Sequence, residues 1–119
     1  MKFCHVTISV KNLEESLTFY HDLLGLPINR RFSTGADSEI AFLGIGETEV
    51  ELIYSSGKES ISVGQDISIG FEVPSVEEIM VFLQKNNFFT SEVIQPNPST
   101  KFFFVNDPNG VRVQFIEHT

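Results

Sequence analysis

The chain has 119 residues and a mass of 13.4 kDa, which suits one compact domain, or two half-modules that share a core, and excludes a second independent domain. Its net charge of −8 disfavours binding to nucleic acid or to anionic membrane surfaces. No apolar stretch approaches the roughly 20 residues of a membrane span, no signal-peptide pattern precedes the first strand, and the single Cys4 excludes an internal disulfide, so we expect a cytoplasmic protein.

The two halves of the sequence resemble each other at an offset of 63 residues. The segment VKNLEE at residues 10–15 aligns with VPSVEE at residues 73–78, and the same offset relates Val50 to Val113. A repeat of this kind predicts two copies of one supersecondary unit. We expect a single domain with module one at residues 1–54, a linker rich in serine and glycine at 55–65, and module two at 66–119.

The first half is predicted to begin with a strand at residues 3–10. Polar and apolar side chains alternate there, which places Cys4, Val6 and Ile8 on one apolar face and His5 on the other. A thiol on such a face is usually a small buried hydrophobic group, so we expect Cys4 to be buried. Further strands are predicted at residues 28–32, 39–43 and 50–54, the last two joined by a turn at 44–48.

A helix is predicted to follow the first strand of each half. Asn12 begins the first helix and Ser75 the second, each with a glutamate three residues later, and Gly25 ends the first helix. The second helix is predicted to run to about Asn86. Strands of the second half are predicted at residues 66–73, 89–94, 101–105 and 111–117, with a hairpin turn at 106–110.

Paired β-α-β-β-β modules of this kind resemble the vicinal oxygen chelate superfamily, which includes glyoxalase I, bleomycin-resistance proteins, fosfomycin-resistance enzymes and extradiol dioxygenases. The most specific matches are SLTFYHDLLGL at residues 16–26 and DPNG at residues 107–110. The resemblance covers essentially the whole chain. It implies an α+β fold in which the two modules form an eight-stranded, cup-like mixed sheet with one helix packed on each module. A chain this small leaves sheet edges uncovered, so we also expect a homodimer.

The family's metal ligands lie on the first and last strands of each module. The resemblance places these positions at His5 and Glu51 in the first half and at Ser68 and Gln114 in the second. A serine hydroxyl and a neutral amide are poor replacements for histidine and carboxylate ligands. The implied metal set is therefore His5, Glu51 and Gln114, for a divalent nickel, zinc, manganese or iron ion, with Glu51 as the catalytic base. The incomplete set is equally compatible with a metal-free protein, in which His5 is half-buried and Glu51 is a solvated carboxylate.

Aromatic residues indicate a small organic ligand. Strand alternation sends Phe102 and Phe104 to one face and Phe103 to the other, and Arg112 shares a face with Gln114. We expect Phe102, Phe104 and Arg112 to contact the ligand in a partly aromatic cavity. The alternative is that the phenylalanines are core or dimer contacts, and that Arg112 forms an ion pair with Glu49.

Two functions are compatible with these features. One is a metal-assisted lyase or isomerase resembling lactoylglutathione lyase. The other is a metal-free protein that sequesters a drug or metabolite, as bleomycin-resistance members do. Because Gln114 cannot accept a proton, the sequence predicts weak or absent lactoylglutathione lyase activity.

Overall fold

The computed structural model describes residues 1–46, 48–58 and 60–119. Glu47, in the predicted turn at 44–48, and Glu59, in the predicted linker, lie outside the described residues. The chain divides into two compact units, Met1–Ser62 and Val63–Thr119, and each contains a four-stranded mixed sheet and a helix. The predicted α+β class and the two β-α-β-β-β modules are confirmed. Within the described ranges, no helix has the length and apolar character needed to span a membrane.

The first unit contains one helical region between its first two strands. The elements are β1 (His5–Ser9), α1 (Leu13–Leu17) with a π-helical continuation at Thr18–Leu23, β2 (Ile28–Gly35), β3 (Ser38–Leu43) and β4 (Glu49–Ser55). The strand order is β1-β4-β3-β2, in which β1 and β4 are parallel and the other pairs are antiparallel. Parallel β1 and β4 place the first and last strands of the module side by side.

One face of this sheet packs on the helix and supplies the core of the first unit. Ile8, Leu43 and Leu52 on the strands are buried, as are Phe19 and Tyr20 of the helical region. Burying side chains of this size contributes roughly 1.5–3 kcal/mol each. Period-two alternation then directs the neighbouring strand residues to the opposite face, which we call the open face.

The second unit repeats this arrangement. Its elements are β5 (Ser68–Glu72), α2 (Val76–Lys85), β6 (Ile94–Asn97), β7 (Thr100–Asn106) and β8 (Arg112–His118). The strand order is β5-β8-β7-β6, with β5 and β8 parallel. Its core contains Val76 and Leu83 of α2 against Val113, Phe103 and Phe115, and the rings of Phe103 and Phe115 stack with their centroids 5.4 Å apart.

The predicted helix starts are confirmed by their side-chain caps. Asn12 Oδ1 accepts a hydrogen bond of 2.9 Å from the Glu15 N–H, and Ser75 Oγ accepts one of 3.2 Å from the Glu78 N–H. Each cap satisfies a backbone donor that lacks a partner within the helix. Gly25, with a φ of 78°, follows the first helical region as predicted.

Two predictions about local structure are wrong. The strand predicted at 89–94 begins only at Ile94, because Phe89 is 97% exposed and Thr90 forms an isolated bridge to Val105. Cys4 is exposed rather than buried, because β1 begins at His5 and the alternation does not extend back to the cysteine.

The 63-residue offset holds for only part of the sheets. It relates the pair Thr7 and Glu51 to the pair Gly70 and Gln114. In the third strand of each module, however, Phe42 lies opposite Glu51 and Phe104 lies opposite Gln114, an offset of 62. The 63-residue offset therefore does not apply to this strand, because the partners Phe42 and Glu51 are nine residues apart along the chain, whereas Phe104 and Gln114 are ten apart.

Candidate functional site

The open face of the first unit brings His5 and Glu51 together. His5 Nε2 lies 3.5 Å from Glu51 Oε1, and the side chains are 39% and 12% exposed. Thr7, the register partner of Glu51, donates its hydroxyl hydrogen bond to the same carboxylate oxygen. The predicted pair therefore presents one imidazole and one largely enclosed carboxylate on adjacent strands.

An aromatic ring adjoins this pair. The Phe42 ring contacts His5 edge to face, with centroids 5.7 Å apart, and stacks on Phe32 at 6.3 Å. The Arg30 guanidinium lies over the same Phe42 ring, 4.0 Å from its centroid. Phe42 is buried although it lies on the open face, because His5, Phe32 and Arg30 contact its ring.

The carboxylate of Glu49 is held within the first unit. Arg30 lies 3.7 Å from Glu49 Oε1, and Asn29 Nδ2 donates to Glu49 Oε2 at 3.0 Å. Asn29 also donates to the Gly44 carbonyl at 2.9 Å, which anchors its amide. The cationic partner of Glu49 is therefore Arg30, on β2 of the same unit.

The face of the second sheet opposite its core, which is the open face of the second unit, contains the three predicted ligand-binding residues. The Arg112 guanidinium lies 3.8 Å from the centroid of the Phe104 ring, and the Phe102 ring meets Phe104 edge to face at 5.7 Å. Gln114 is two residues from Arg112 on β8 and lies opposite Phe104. A Cβ added at Gly70 would lie 3.2 Å from Gln114 Oε1, so the glycine leaves room for that amide.

A surface cleft of about 470 Å³ adjoins this aromatic group. Phe104 is common to both features, because its ring contacts Arg112 and the residue is part of the cleft lining. The cleft is lined by Asn87, Phe88, Phe89, Thr90, Ser91, Phe104, Val105 and Asn106.

The first unit supplies two donors of the predicted metal set. A catalytic metal ordinarily has three protein ligands, and His5 with Glu51 provides two good donors. Ser68 and Gln114 occupy the equivalent positions of the second unit and offer only neutral oxygens. Among the residues described, no three histidine, cysteine, aspartate or glutamate side chains are grouped so that they could hold a metal ion.

Sequence reasoning missed four residues of these faces. Arg30 and Phe42 lie opposite each other on β2 and β3, and Thr7 lies opposite Glu51. Alternation along the predicted strands placed all three side chains on the open face and could have identified them. Asn29 had no such signal, because its role depends on the turn that brings the Gly44 carbonyl near it.

The comparisons with known proteins agree with this architecture. The chain is 31% identical to the lactoylglutathione lyase of Salmonella typhimurium, over 98% of this chain and 93% of that protein. It superimposes on the trypanothione-dependent glyoxalase I of Leishmania major with a TM-score of 0.85 and 25% identity, over 98% of this chain and 86% of that chain. A glyoxalase family protein from Bacillus cereus has a TM-score of 0.86 at 18% identity, covering 99% and 94% of the two chains. The sequence profile of one family matches residues 2–115, and the chain therefore belongs to the glyoxalase/bleomycin resistance protein/dioxygenase superfamily.

Proposed function

We propose that this chain binds a small organic molecule against the open aromatic face of its second unit. The observation that carries the proposal is the group formed by Arg112, Phe104 and Phe102, which places a cation and two rings beside a cleft. Small-molecule sites combine apolar walls with a few hydrogen-bonding groups in this way. Phe104 and Phe102 would contact the apolar part of the ligand, and Arg112 would orient it.

Titration with small aromatic fragments, followed by NMR of the backbone amides, tests the proposal. We expect saturable shifts that centre on β7 and β8, and we expect Phe104→Ala to weaken them. Phe82→Ala is the matched control, because Phe82 is a partly exposed ring on α2. Fragments that bind elsewhere, or that bind Phe104→Ala as well as the original chain, would contradict the proposal.

A metal-assisted lyase or isomerase is the second candidate function. It is favoured by the 3.5 Å contact between His5 and Glu51 and by the 31% identity to a lactoylglutathione lyase. In this function His5 and Glu51 would be protein ligands of a nickel, zinc, manganese or iron ion, and Glu51 would be the base. Gln114 opposes it, because an amide cannot replace a carboxylate as a proton acceptor.

Metal analysis and an activity assay distinguish the two candidates. We expect substoichiometric metal after purification without chelator, and we expect turnover of the methylglyoxal–glutathione hemithioacetal to be slow even with added nickel or zinc. Loss of a general base typically lowers a rate about 10²–10⁴-fold. The His5→Ala variant shows how much of any turnover depends on the histidine. Turnover of about 1–10³ per second that His5→Ala abolishes would establish the enzyme instead.

Metal-free sequestration of a drug or metabolite is the form of binding that the incomplete donor set favours.

We further propose that the protein acts in the cytoplasm as a homodimer. The module boundaries that we propose are 1–54 and 66–119, with residues 55–65 between them.

A further inference from the structure

Arg112 has no acidic partner in the part of the chain that the structure describes. Its guanidinium stacks on the Phe104 ring at 3.8 Å, and the side chain is exposed. The carboxylates that lie near the other arginines are Glu49, for Arg30, and Glu14 with Glu39, for Arg31. Stacking occupies the flat face of a guanidinium but leaves its in-plane N–H groups able to donate.

The first unit contains a similar arginine–phenylalanine contact in which the charge of the arginine is neutralised. Arg30 also lies over a phenylalanine, Phe42, but its charge is balanced by Glu49 at 3.7 Å. Glu49 lies opposite His5 in its sheet, and Arg112 lies opposite Ser68 at the equivalent register. The second unit therefore has an arginine where the first has a glutamate.

Gln114 adds hydrogen-bonding groups next to this arginine. Its counterpart Glu51 accepts from Thr7, whereas the counterpart of Thr7 is Gly70, which has no side chain to offer. Within the described ranges the structure shows no hydrogen bond from the Gln114 side chain, and the amide is partly exposed. Arg112 and Gln114 are two residues apart on β8, so both project from the open face.

From these contacts we infer that the second unit selects ligands that carry a carboxylate beside an aromatic or apolar body. The inference rests on the proposed function and specifies its ligand class. The carboxylate would accept two N–H bonds from Arg112 and one from the Gln114 amide, and the apolar body would lie on Phe104 and Phe102. A planar guanidinium matches the two oxygens of a carboxylate, so the pairing is both strong and directional.

The carboxylate that β5 places on this face is distant from Arg112. Glu72 lies on the open face of β5 and is the nearest carboxylate along that strand, four residues beyond Ser68, the register partner of Arg112. Four residues of strand span about 13 Å. Screening at physiological salt acts over about 8 Å, so Glu72 only weakly repels a ligand carboxylate bound at Arg112.

Three compounds that share a phenyl group on a three-carbon chain and differ in their polar head group test the inference. The probes are 3-phenylpropionate, 3-phenylpropanamide and 3-phenylpropylammonium, each titrated at pH 7 and followed by NMR. Charge-assisted hydrogen bonds are stronger than neutral ones. We therefore expect the acid to bind at least about 10-fold more tightly than the amide. The ammonium compound should bind most weakly.

Two variants and one control assign the preference to its residues. Arg112→Gln should weaken 3-phenylpropionate about 10-fold or more and weaken 3-phenylpropanamide much less. Gln114→Glu, which adds a negative charge at nearly constant shape, should remove the preference for the acid. Lys101→Gln is the control. It also removes one positive charge, but the Lys101 side chain on β7 bonds Glu77 of α2.

The outcomes separate this inference from the proposed function. Equal binding of the acid and the amide, or an acid affinity unchanged by Arg112→Gln, would overturn the inference and leave small-molecule binding intact. Absence of saturable binding by all three compounds would overturn both.

Discussion

The turn between β7 and β8 depends on a single buried carboxylate. Asp107 is 5% exposed, and its Oδ1 accepts hydrogen bonds of 2.8 Å from the N–H groups of Asn109 and Val111. The Gly110 N–H donates to the Asp107 carbonyl at 3.1 Å, and the φ of Gly110 is 90°. These bonds explain why a DPNG segment specifies this hairpin, since the aspartate supplies acceptors that the turn backbone lacks.

Asp107→Ala should therefore lower the free energy of unfolding by about 2–4 kcal/mol, because it leaves two turn N–H groups without their acceptor. Urea unfolding followed by circular dichroism measures the change. Asp107→Asn is the control. Its amide oxygen can still accept both backbone bonds and it loses the bond of 3.2 Å that Asp107 Oδ2 accepts from Asn109 Nδ2, so it should cost about 1 kcal/mol. An alanine variant as stable as the asparagine variant would show that the carboxylate oxygen does not maintain the turn.

At the scale of elements, local signals predicted most of the fold. The caps at Asn12 and Ser75 and the strands at β3, β4, β7 and β8 follow from side-chain chemistry and alternation over a few residues. These signals need no knowledge of distant parts of the chain.

The missed features depend on contacts between segments. In the segment predicted as the strand at 89–94, the Ser91 side chain bonds β7 in place of a regular strand pairing. Its Oγ accepts a hydrogen bond of 2.8 Å from the Phe104 N–H. The π-helical segment Thr18–Leu23 follows α1 where the sequence predicts an ordinary helix. The sequence also identified His5 and Glu51. Alternation places Thr7 and Arg30 on the same face, but only the strand register shows which carboxylate each of them contacts, and Asn29 had no local signal.

The first turn of α2 is tied to β7 by one ion pair whose strength should depend on pH. A hydrogen bond from its own backbone N–H, and then the Lys101 ammonium at 3.2 Å, hold the pKa of Glu77 below its usual value of 4.5. A carboxyl whose pKa is lowered in the folded state stabilises the fold above its unfolded pKa. That contribution disappears as the pH falls through the lower, folded pKa.

Glu77→Gln should accordingly reduce stability slightly at pH 7 and have no effect at a pH below the folded pKa of Glu77. Thermal unfolding of both proteins between pH 2 and pH 7 measures the difference. Glu72→Gln is the matched control, because Glu72 is exposed on β5 and forms no ion pair among the residues described. A difference between Glu77→Gln and the original chain that stayed constant across this range would contradict the assignment.

On the scale of the molecule, the two units carry the same topology with opposite charge patterns. On β4 of the first unit, the open face carries the carboxylates Glu49 and Glu51. The equivalent positions on β8 of the second unit carry Arg112 and Gln114. A duplicated fold therefore presents a histidine–carboxylate pair on one open face and a donor-rich aromatic group on the other. The repeat conserves the backbone register while the side chains set different chemistry.

Exposed apolar side chains of the second unit predict that the protein is a dimer. Phe89 is 97% exposed, Ile67 69% and Phe82 40%, and a symmetric partner would bury such side chains. Light scattering at micromolar concentration should give a mass of about 27 kDa, twice the 13.4 kDa of the chain. Phe89→Ser should weaken the dimer, because a large ring at an interface commonly contributes more than about 1 kcal/mol. Ile45→Ser, at an exposed position of the first unit, is the control and should leave the mass unchanged. A mass of 13.4 kDa for the original chain would show that these side chains remain exposed to solvent.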